Sequence, residues 1–197
     1  MRSESEISEA VLGYSEVDDA VRTVIRTDLL PVREYLYSYQ FCFIVRLEEK
    51  QTLFAEAPTE QGFAGICSEF WWVMKTFAEY TLREELPSAM FYLNVSVRDL
   101  LNKMLRWHIY LCSGKPADMG ILDCNMEKLL EVELFELYKK IYPDAEYKHI
   151  WNALEAVSEL WRKVGVSVAE SCGFNYPYNT ERDMLAFITR LKEIGGK

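Results

Sequence analysis

Apolar residues recur at helical spacing through the last two-thirds of the chain. From Ile66 onward they return every third or fourth residue, which places them on one face of a helix. The pattern predicts helices over about 67–86, 88–112, 126–142, 146–171 and 180–194, ending near Pro87, Gly114, Pro143 and Gly173. Because the joining loops are short, we expect an antiparallel bundle of about five helices.

The start of the chain follows a different pattern. A short helix is predicted over residues 3–12, and strands are predicted over 20–25 and over 37–45, where the sequence is YSYQFCFIV. Residues 48–65 are charged and contain Pro58, Gly62 and Gly65, which indicates a linker. The sequence therefore predicts a mainly α protein, with an αββ segment at 1–47, a linker at 48–65 and a helical bundle at 66–197.

The net charge and the cysteine content limit the classes of binding partner and the cellular compartment that we expect for the protein. The net charge of −9 argues against nucleic acid and suits a cationic partner, although solubility alone also explains it. Five widely spaced cysteines without a CxxC motif indicate reduced thiols, as in a cytoplasmic protein. No apolar run is long enough to cross a membrane, so we expect no membrane partner.

The histidines do not predict a metal site. The chain has two, His108 and His149, each within a predicted helix, and neither belongs to an HxxH or HExxH motif. His108 lies on the apolar stripe of its helix, so we interpret it as a core or rim histidine. The sequence predicts no metal ligands.

Two long segments carry a family resemblance. Residues 68–109, SEFWWVMKTFAEYTLREELPSAMFYLNVSVRDLLNKMLRWHI, and residues 151–179, WNALEAVSELWRKVGVSVAESCGFNYPYN, share their motifs in order with one family. They resemble the helical C-terminal domain of the aminoglycoside 6-adenylyltransferases, enzymes of streptomycin resistance. The resemblance covers roughly residues 66–194 and implies a helical, aminoglycoside-binding domain.

The first 47 residues resemble the opening of the same family's nucleotidyltransferase domain. That family uses ATP and Mg²⁺, a Gly-Ser-Arg turn for the triphosphate and an Asp-x-Asp pair for the metal. Here Asp28 and Leu29 stand at the turn, and Ser38 and Gln40 stand at the pair. A hydroxyl and an amide carry no charge to replace two carboxylates, so we expect no catalytic residues and no cofactor. The resemblance thus predicts a truncated homologue that lacks most of the nucleotidyltransferase domain and is inactive alone.

Five residues of the predicted bundle are candidates for substrate binding. Glu69, Trp72 and Thr76 share a polar face of one helix, and Asn94 and Arg98 share a face of the next. Trp72 can stack on a sugar ring while carboxylates pair with the cationic groups of an aminoglycoside. The alternative is structural: Trp72 packs against a neighbouring helix, and Arg98 forms an ion pair with Glu69 or Asp99. The alternative function is a non-enzymatic interaction protein that dimerises through its bundle and exposed strands.

Overall fold

A computed structural model describes residues 57–195, and these residues contain no β-strand. The α-helices are α1 (Glu60–Leu82), α2 (Leu86–Phe91), α3 (Arg98–Ser113), α4 (Met126–Leu129), α5 (Val132–Lys139), α6 (Tyr147–Cys172) and α7 (Tyr178–Gly195). A π-helical segment, Tyr92–Val97, joins α2 to α3, and a 3₁₀ turn, Ile121–Asp123, precedes α4. The prediction of a mainly α bundle is confirmed, while the predicted αββ segment of residues 1–47 lies outside the described residues.

Helix α1 begins inside the segment predicted as a linker. Its first residue is Glu60, and the hydroxyl of Thr59 caps the helix by accepting a hydrogen bond from the Gly62 backbone N–H at 3.1 Å. Gly62 and Gly65, interpreted above as linker signals, therefore lie within the first turns of a helix. The capping hydroxyl and the long apolar stripe that follows outweigh the low helix propensity of two glycines.

The same helix ends earlier than predicted. It stops at Leu82, where Glu84 adopts a left-handed conformation with φ of 57°. The Glu85 backbone N–H donates to Tyr80 O at 3.1 Å and the Glu84 N–H donates to Thr81 O at 3.2 Å, which is the Schellman pattern of a helix end. The sequence pattern does not reveal this helix end, because glutamate occupies the position where glycine is usual.

The second predicted helix is continuous but not uniform. Helical structure runs from Leu86 to Ser113, with Pro87 in the first turn and Gly114 at the end with φ of 65°, as the sequence predicted.

The third predicted helix is broken. Leu130 has an extended backbone with ψ of 150°, which separates α4 from α5. Leu130 is buried in the core, and Glu131 follows it as the N-cap residue of α5.

Helices α1, α3 and α6 supply most of the core. The rings of Phe70 on α1 and Trp161 on α6 stack with centroids 3.6 Å apart. On α6, Gly165 allows the ring of Tyr176 and the side chain of Met104 to approach the helix. Helix α7 packs along α1, and α5 packs against α6. Within residues 57–195 none of the helices combines the length and apolarity that a membrane crossing requires.

Candidate functional site

Helix α1 presents a polar face that carries a large exposed aromatic side chain. Trp71 is buried in the core, and because successive helical residues are rotated by about 100°, the next indole projects outward. Trp72 is 63% exposed, with Glu69 exposed and Thr76 partly buried on the same face. The structure therefore contradicts the alternative in which Trp72 packs against a neighbouring helix. We call Glu69, Trp72 and Thr76 the α1 face.

The ion pairs around the α1 face do not include Glu69 within residues 57–195. Lys75 Nζ lies 2.6 Å from Glu79 Oε1, so these two charges satisfy each other. The Thr76 hydroxyl donates to the Trp72 carbonyl oxygen at 3.1 Å. No cation of the described residues lies within ion-pair distance of Glu69.

Asn94 and Arg98 are not joined to the α1 face by any hydrogen bond or ion pair in the described part of the chain. The guanidinium of Arg98 lies 3.8 Å from the centroid of the Tyr142 ring, and its Nη2 donates to Ile141 O at 3.1 Å. Burial lowers the pKa of Arg98. Arg98 is therefore held against the segment that follows α5, and the ion pair with Glu69 or Asp99 in the alternative is not formed among the described residues. Asn94 is exposed in the π-helical segment.

A polar cluster that sequence reasoning missed continues along α3. Arg106 Nε and Nη2 donate to the two carboxylate oxygens of Asp123 at 2.7 Å and 2.6 Å. The Asn102 amide donates to Asp123 Oδ2 at 3.2 Å and accepts from the Tyr138 hydroxyl at 3.1 Å. Burial raises the pKa of Tyr138. We call these four residues the Asp123 cluster. Asp123 lies in a 3₁₀ turn, so helical periodicity gives no sign of the pairing.

His108 is buried, as predicted, and its ring lies close to a carboxylate, a thiol and a hydroxyl group. Its Nε2 lies 3.2 Å from both carboxylate oxygens of Glu131 and 3.6 Å from Cys112 Sγ, while its Nδ1 lies 3.1 Å from Ser167 Oγ. Burial raises the pKa of the Cys112 thiol, and the charge of Glu131 adds to the effect. The i+4 spacing of His108 and Cys112 can be read from the sequence and predicts that the two side chains are neighbours on one helix face. Glu131 comes from another element, so the sequence does not predict its contact with His108.

The groove between α6 and α7 holds a buried acid. Glu181 is 2% exposed, and its Oε1 has no hydrogen-bond partner within the described residues. Arg162 Nε lies 3.8 Å from the other carboxylate oxygen. Burial raises the pKa of Glu181, and Arg162 opposes this only in part.

The predicted catalytic remnant cannot be placed. Asp28, Leu29, Ser38 and Gln40 lie outside the residues that the structure describes, so their degenerate character stays a prediction from sequence. The functional candidates with known geometry are therefore all on the helical part.

Comparison with known proteins identifies relatives of one kind. An aminoglycoside 6-adenylyltransferase of Bacillus subtilis (strain 168) is 31% identical over 120 residues, which are 61% of this chain and 42% of the relative. One from Campylobacter jejuni is 28% identical over 140 residues, 71% of this chain and 49% of the relative. One from Staphylococcus aureus is 23% identical over 175 residues, or 89% and 58%. The chain thus spans about half the length of the curated relatives it matches.

The fold and the family model agree with these relatives. The crystal structure of an aminoglycoside 6-adenyltransferase from Bacillus subtilis superposes with a TM-score of 0.66 at 26% identity, covering 73% of this chain and 54% of that one. The family model for streptomycin adenylyltransferase matches residues 41–191, which is more than half of the chain and includes nearly all of the helical part. The chain therefore belongs to the streptomycin adenylyltransferase family.

Proposed function

We propose that the helical part of this chain binds a cationic aminoglycoside on the α1 face. The observation that carries the proposal is the exposed indole of Trp72, one helical turn from a carboxylate that has no cation beside it in residues 57–195. The indole offers an apolar surface for a sugar ring, and Glu69 can pair with a guanidinium or ammonium group. The relatives named above, described as aminoglycoside 6-adenylyltransferases, support this class of ligand.

We further propose that the chain, by itself, transfers no adenylyl group. Nucleotidyl transfer depends on metal ions that neutralise the phosphates, and Mg²⁺ takes hard oxygen ligands such as carboxylates. Ser38 and Gln40 stand where the resemblance predicts the acidic pair, and Asp28 would repel a triphosphate at the predicted turn. The proposal covers the isolated chain, and a partner chain that supplies the missing groups is compatible with it.

Calorimetric titration of the purified chain with streptomycin tests the binding proposal. We expect measurable binding that Trp72→Ala weakens by about tenfold, because losing one aromatic stacking contact is worth about 1 kcal/mol or more. Glu69→Gln should weaken binding by about threefold to tenfold through loss of a charged hydrogen bond. Glu170→Gln removes an exposed carboxylate from α6 and serves as the matched control. Absence of heat and of a thermal shift at millimolar streptomycin would exclude the site.

The catalytic proposal is tested separately. The chain is incubated with ATP, Mg²⁺ and streptomycin, and the antibiotic is analysed by mass spectrometry for an added adenylyl group. We expect no modified product at any enzyme concentration. Detection of adenylylated streptomycin, dependent on the chain and abolished by boiling it, would overturn this proposal and leave the binding proposal intact.

Self-association is a second candidate function, favoured by a different observation. Phe91 and Val95, one helical turn apart around the start of the π-helical segment, are 57% and 50% exposed. Adjacent apolar side chains at a surface favour contact with another protein surface. Light scattering at high protein concentration tests this: a dimer that Phe91→Ser weakens would support it, and a monomer throughout would exclude it.

A further inference from the structure

Three side chains of different ligand chemistry converge at the C-terminal end of α3. His108 and Cys112 are one turn apart on that helix, and Glu131 immediately precedes α5. The imidazole nitrogen, the thiol sulfur and a carboxylate oxygen all lie within 4.8 Å of one another. These donors lie outside the α1 face and outside the Asp123 cluster, so neither of those assignments accounts for them.

Nε2 of the His108 ring is directed at Glu131, and Cys112 Sγ lies over the ring, 3.6 Å from Nε2 and 3.9 Å from Nδ1. The Nδ1 atom lies 3.1 Å from Ser167 Oγ, which can accept a hydrogen bond from Nδ1–H. In that tautomer the lone pair on Nε2 faces the Glu131 carboxylate. A histidine that binds a metal through one nitrogen generally donates a hydrogen bond from the other, which is the arrangement Ser167 provides.

The separations between donors match those around a tetrahedral zinc ion. Bond lengths of about 2.05 Å to nitrogen, 2.3 Å to sulfur and 2.0 Å to oxygen put nitrogen about 3.6 Å from sulfur and about 3.3 Å from oxygen at a tetrahedral angle. The observed separations from His108 Nε2 are 3.6 Å to Cys112 Sγ and 3.2 Å to each oxygen of Glu131. An ion bound to Nε2 and Glu131 can therefore be placed without moving the buried histidine, and the exposed Cys112 side chain reaches this ion by rotating away from the ring.

The chemistry of the donors selects among metals. Thiolate and imidazole are ligands for zinc rather than for Mg²⁺ or Ca²⁺, which take oxygen. A thiolate and a carboxylate together balance the two charges of the ion. Cys112 and Glu131 are exposed, which gives an ion access from solvent and leaves the fourth position to water.

We propose that His108, Cys112 and Glu131 form a zinc-binding site with one position open to solvent. Ser167 orients the histidine of this site. The ion joins α3 to the start of α5, across the break at Leu130.

Titration of the chelator-stripped full chain with Zn²⁺ and with Co²⁺ tests the proposal. We expect one Zn²⁺ per chain, undisturbed by excess Mg²⁺, and Co²⁺ spectra with a sulfur-to-metal charge-transfer band and the intense visible bands of tetrahedral cobalt. Cys112→Ser should abolish the charge-transfer band, and Cys112→Ser and Glu131→Gln should each weaken Zn²⁺ binding at least tenfold. Cys124→Ser, which removes another exposed cysteine, is the matched control and should bind like the unmodified chain.

The outcomes separate the proposal from its competitors. Both ligand variants change exposed side chains, so circular dichroism should confirm that they fold. Absence of stoichiometric Zn²⁺ binding would overturn the proposal. Binding that survives Cys112→Ser but is lost in another cysteine variant would also overturn it, because the ion would then occupy a different site.

Discussion

The side chain of Asp123 is 5% exposed, so its carboxylate depends on hydrogen bonds within the protein. It accepts two charged hydrogen bonds from Arg106 and a third hydrogen bond from Asn102. Removing one partner of such a pair leaves the other charge poorly solvated. We expect Asp123→Asn to lower the free energy of unfolding by about 2–3 kcal/mol, below the range for fully buried pairs because Arg106 is partly exposed. Asparagine tolerates the left-handed backbone of this position, where φ is 59°, so the change tests the charge.

The control for this measurement is an exposed pair. Arg182 and Asp183 are ion-paired at 3.0 Å but both side chains are largely in solvent, so Asp183→Asn should change stability by about 0.5 kcal/mol or less. Urea unfolding of both variants provides the comparison. Equal effects of the two substitutions would show that the Asp123 cluster contributes nothing beyond a surface ion pair.

Glu181 makes stability depend on pH in a defined direction. Burial raises its pKa in the folded state above the value near 4.3 expected for an unfolded chain. Between those two values the folded state binds more protons, so the stabilising contribution present at low pH is lost as pH rises through the folded pKa. Glu181→Gln should therefore gain stability relative to the unmodified chain as pH rises through the folded-state pKa of Glu181.

Urea unfolding between about pH 4 and pH 8 measures this difference. Glu170→Gln, at an exposed position, should follow the unmodified chain at every pH. If the curves of Glu181→Gln and the unmodified chain run parallel, the buried carboxylate is not the source of the pH dependence.

At the scale of single residues, the sequence predicted exposure better than it predicted partners. The exposed position of Glu69 follows from helical periodicity, because periodicity states which face a residue occupies. Arg98 contacts residues that follow α5, and His108 contacts Glu131 before α5 and Ser167 within α6. Asp123, in a turn, pairs with Arg106 within α3. Each of these contacts joins different elements, and no spacing along the chain encodes it. Resemblance to a family supplied a binding role, but it could not supply these contacts.

At the scale of elements, the apolar stripe located the main helices but missed several irregularities, among them the π-helical segment. The fully buried residues Ala89, Leu93, Val97, Leu101 and Leu105 recur at every fourth position. In a regular α-helix this spacing drifts by about 40° per step, and the wider turn of the π-helical segment rotates the stripe back toward the core. The recurrence of buried residues at every fourth position therefore indicates the π-helical segment Tyr92–Val97. The same spacing is also compatible with a regular α-helix over two turns, so it does not distinguish the two.

Gly165 sets how closely α6 approaches its neighbours. A β-carbon at this position would lie 2.8 Å from Cε2 of the Tyr176 ring, which is itself buried. Alanine gains up to about 1 kcal/mol of helix propensity over glycine, but overpacking costs about 1–3 kcal/mol. We expect Gly165→Ala to lower the melting temperature, because Tyr176 has little room to move.

Gly65 provides the matched comparison on α1. Apart from the adjoining helix backbone, no atom of the described residues lies within 4 Å of a β-carbon at this position, so Gly65→Ala should gain about 0.5–1 kcal/mol and raise the melting temperature. Calorimetry of both variants tests whether packing or propensity decides each case. Stabilisation by both substitutions would show that Tyr176 is free to shift away from α6.

At the scale of the whole molecule, the net charge is the property that follows most directly from the amino-acid composition. The chain carries a net charge of −9, and the proposed ligand is a cation, so the summed field favours their association. Sequence alone left this ambiguous, because an acidic surface also serves solubility. The exposed carboxylate of Glu69, one helical turn from Trp72, is a specific negative charge that a cationic ligand can contact.

Salt dependence of streptomycin binding separates these two roles of the charge. Raising the salt concentration from about 0.05 M to about 0.5 M shortens the screening length to about 4 Å, so affinity should fall severalfold if exposed charges drive binding. Glu69→Gln should show a shallower dependence than the unmodified chain, because one local charge is gone, whereas Glu170→Gln should retain nearly the full dependence. Calorimetric dissociation constants at the two salt concentrations provide the measurement. An affinity that does not change with salt would show that stacking on Trp72, rather than charge, accounts for binding of the ligand.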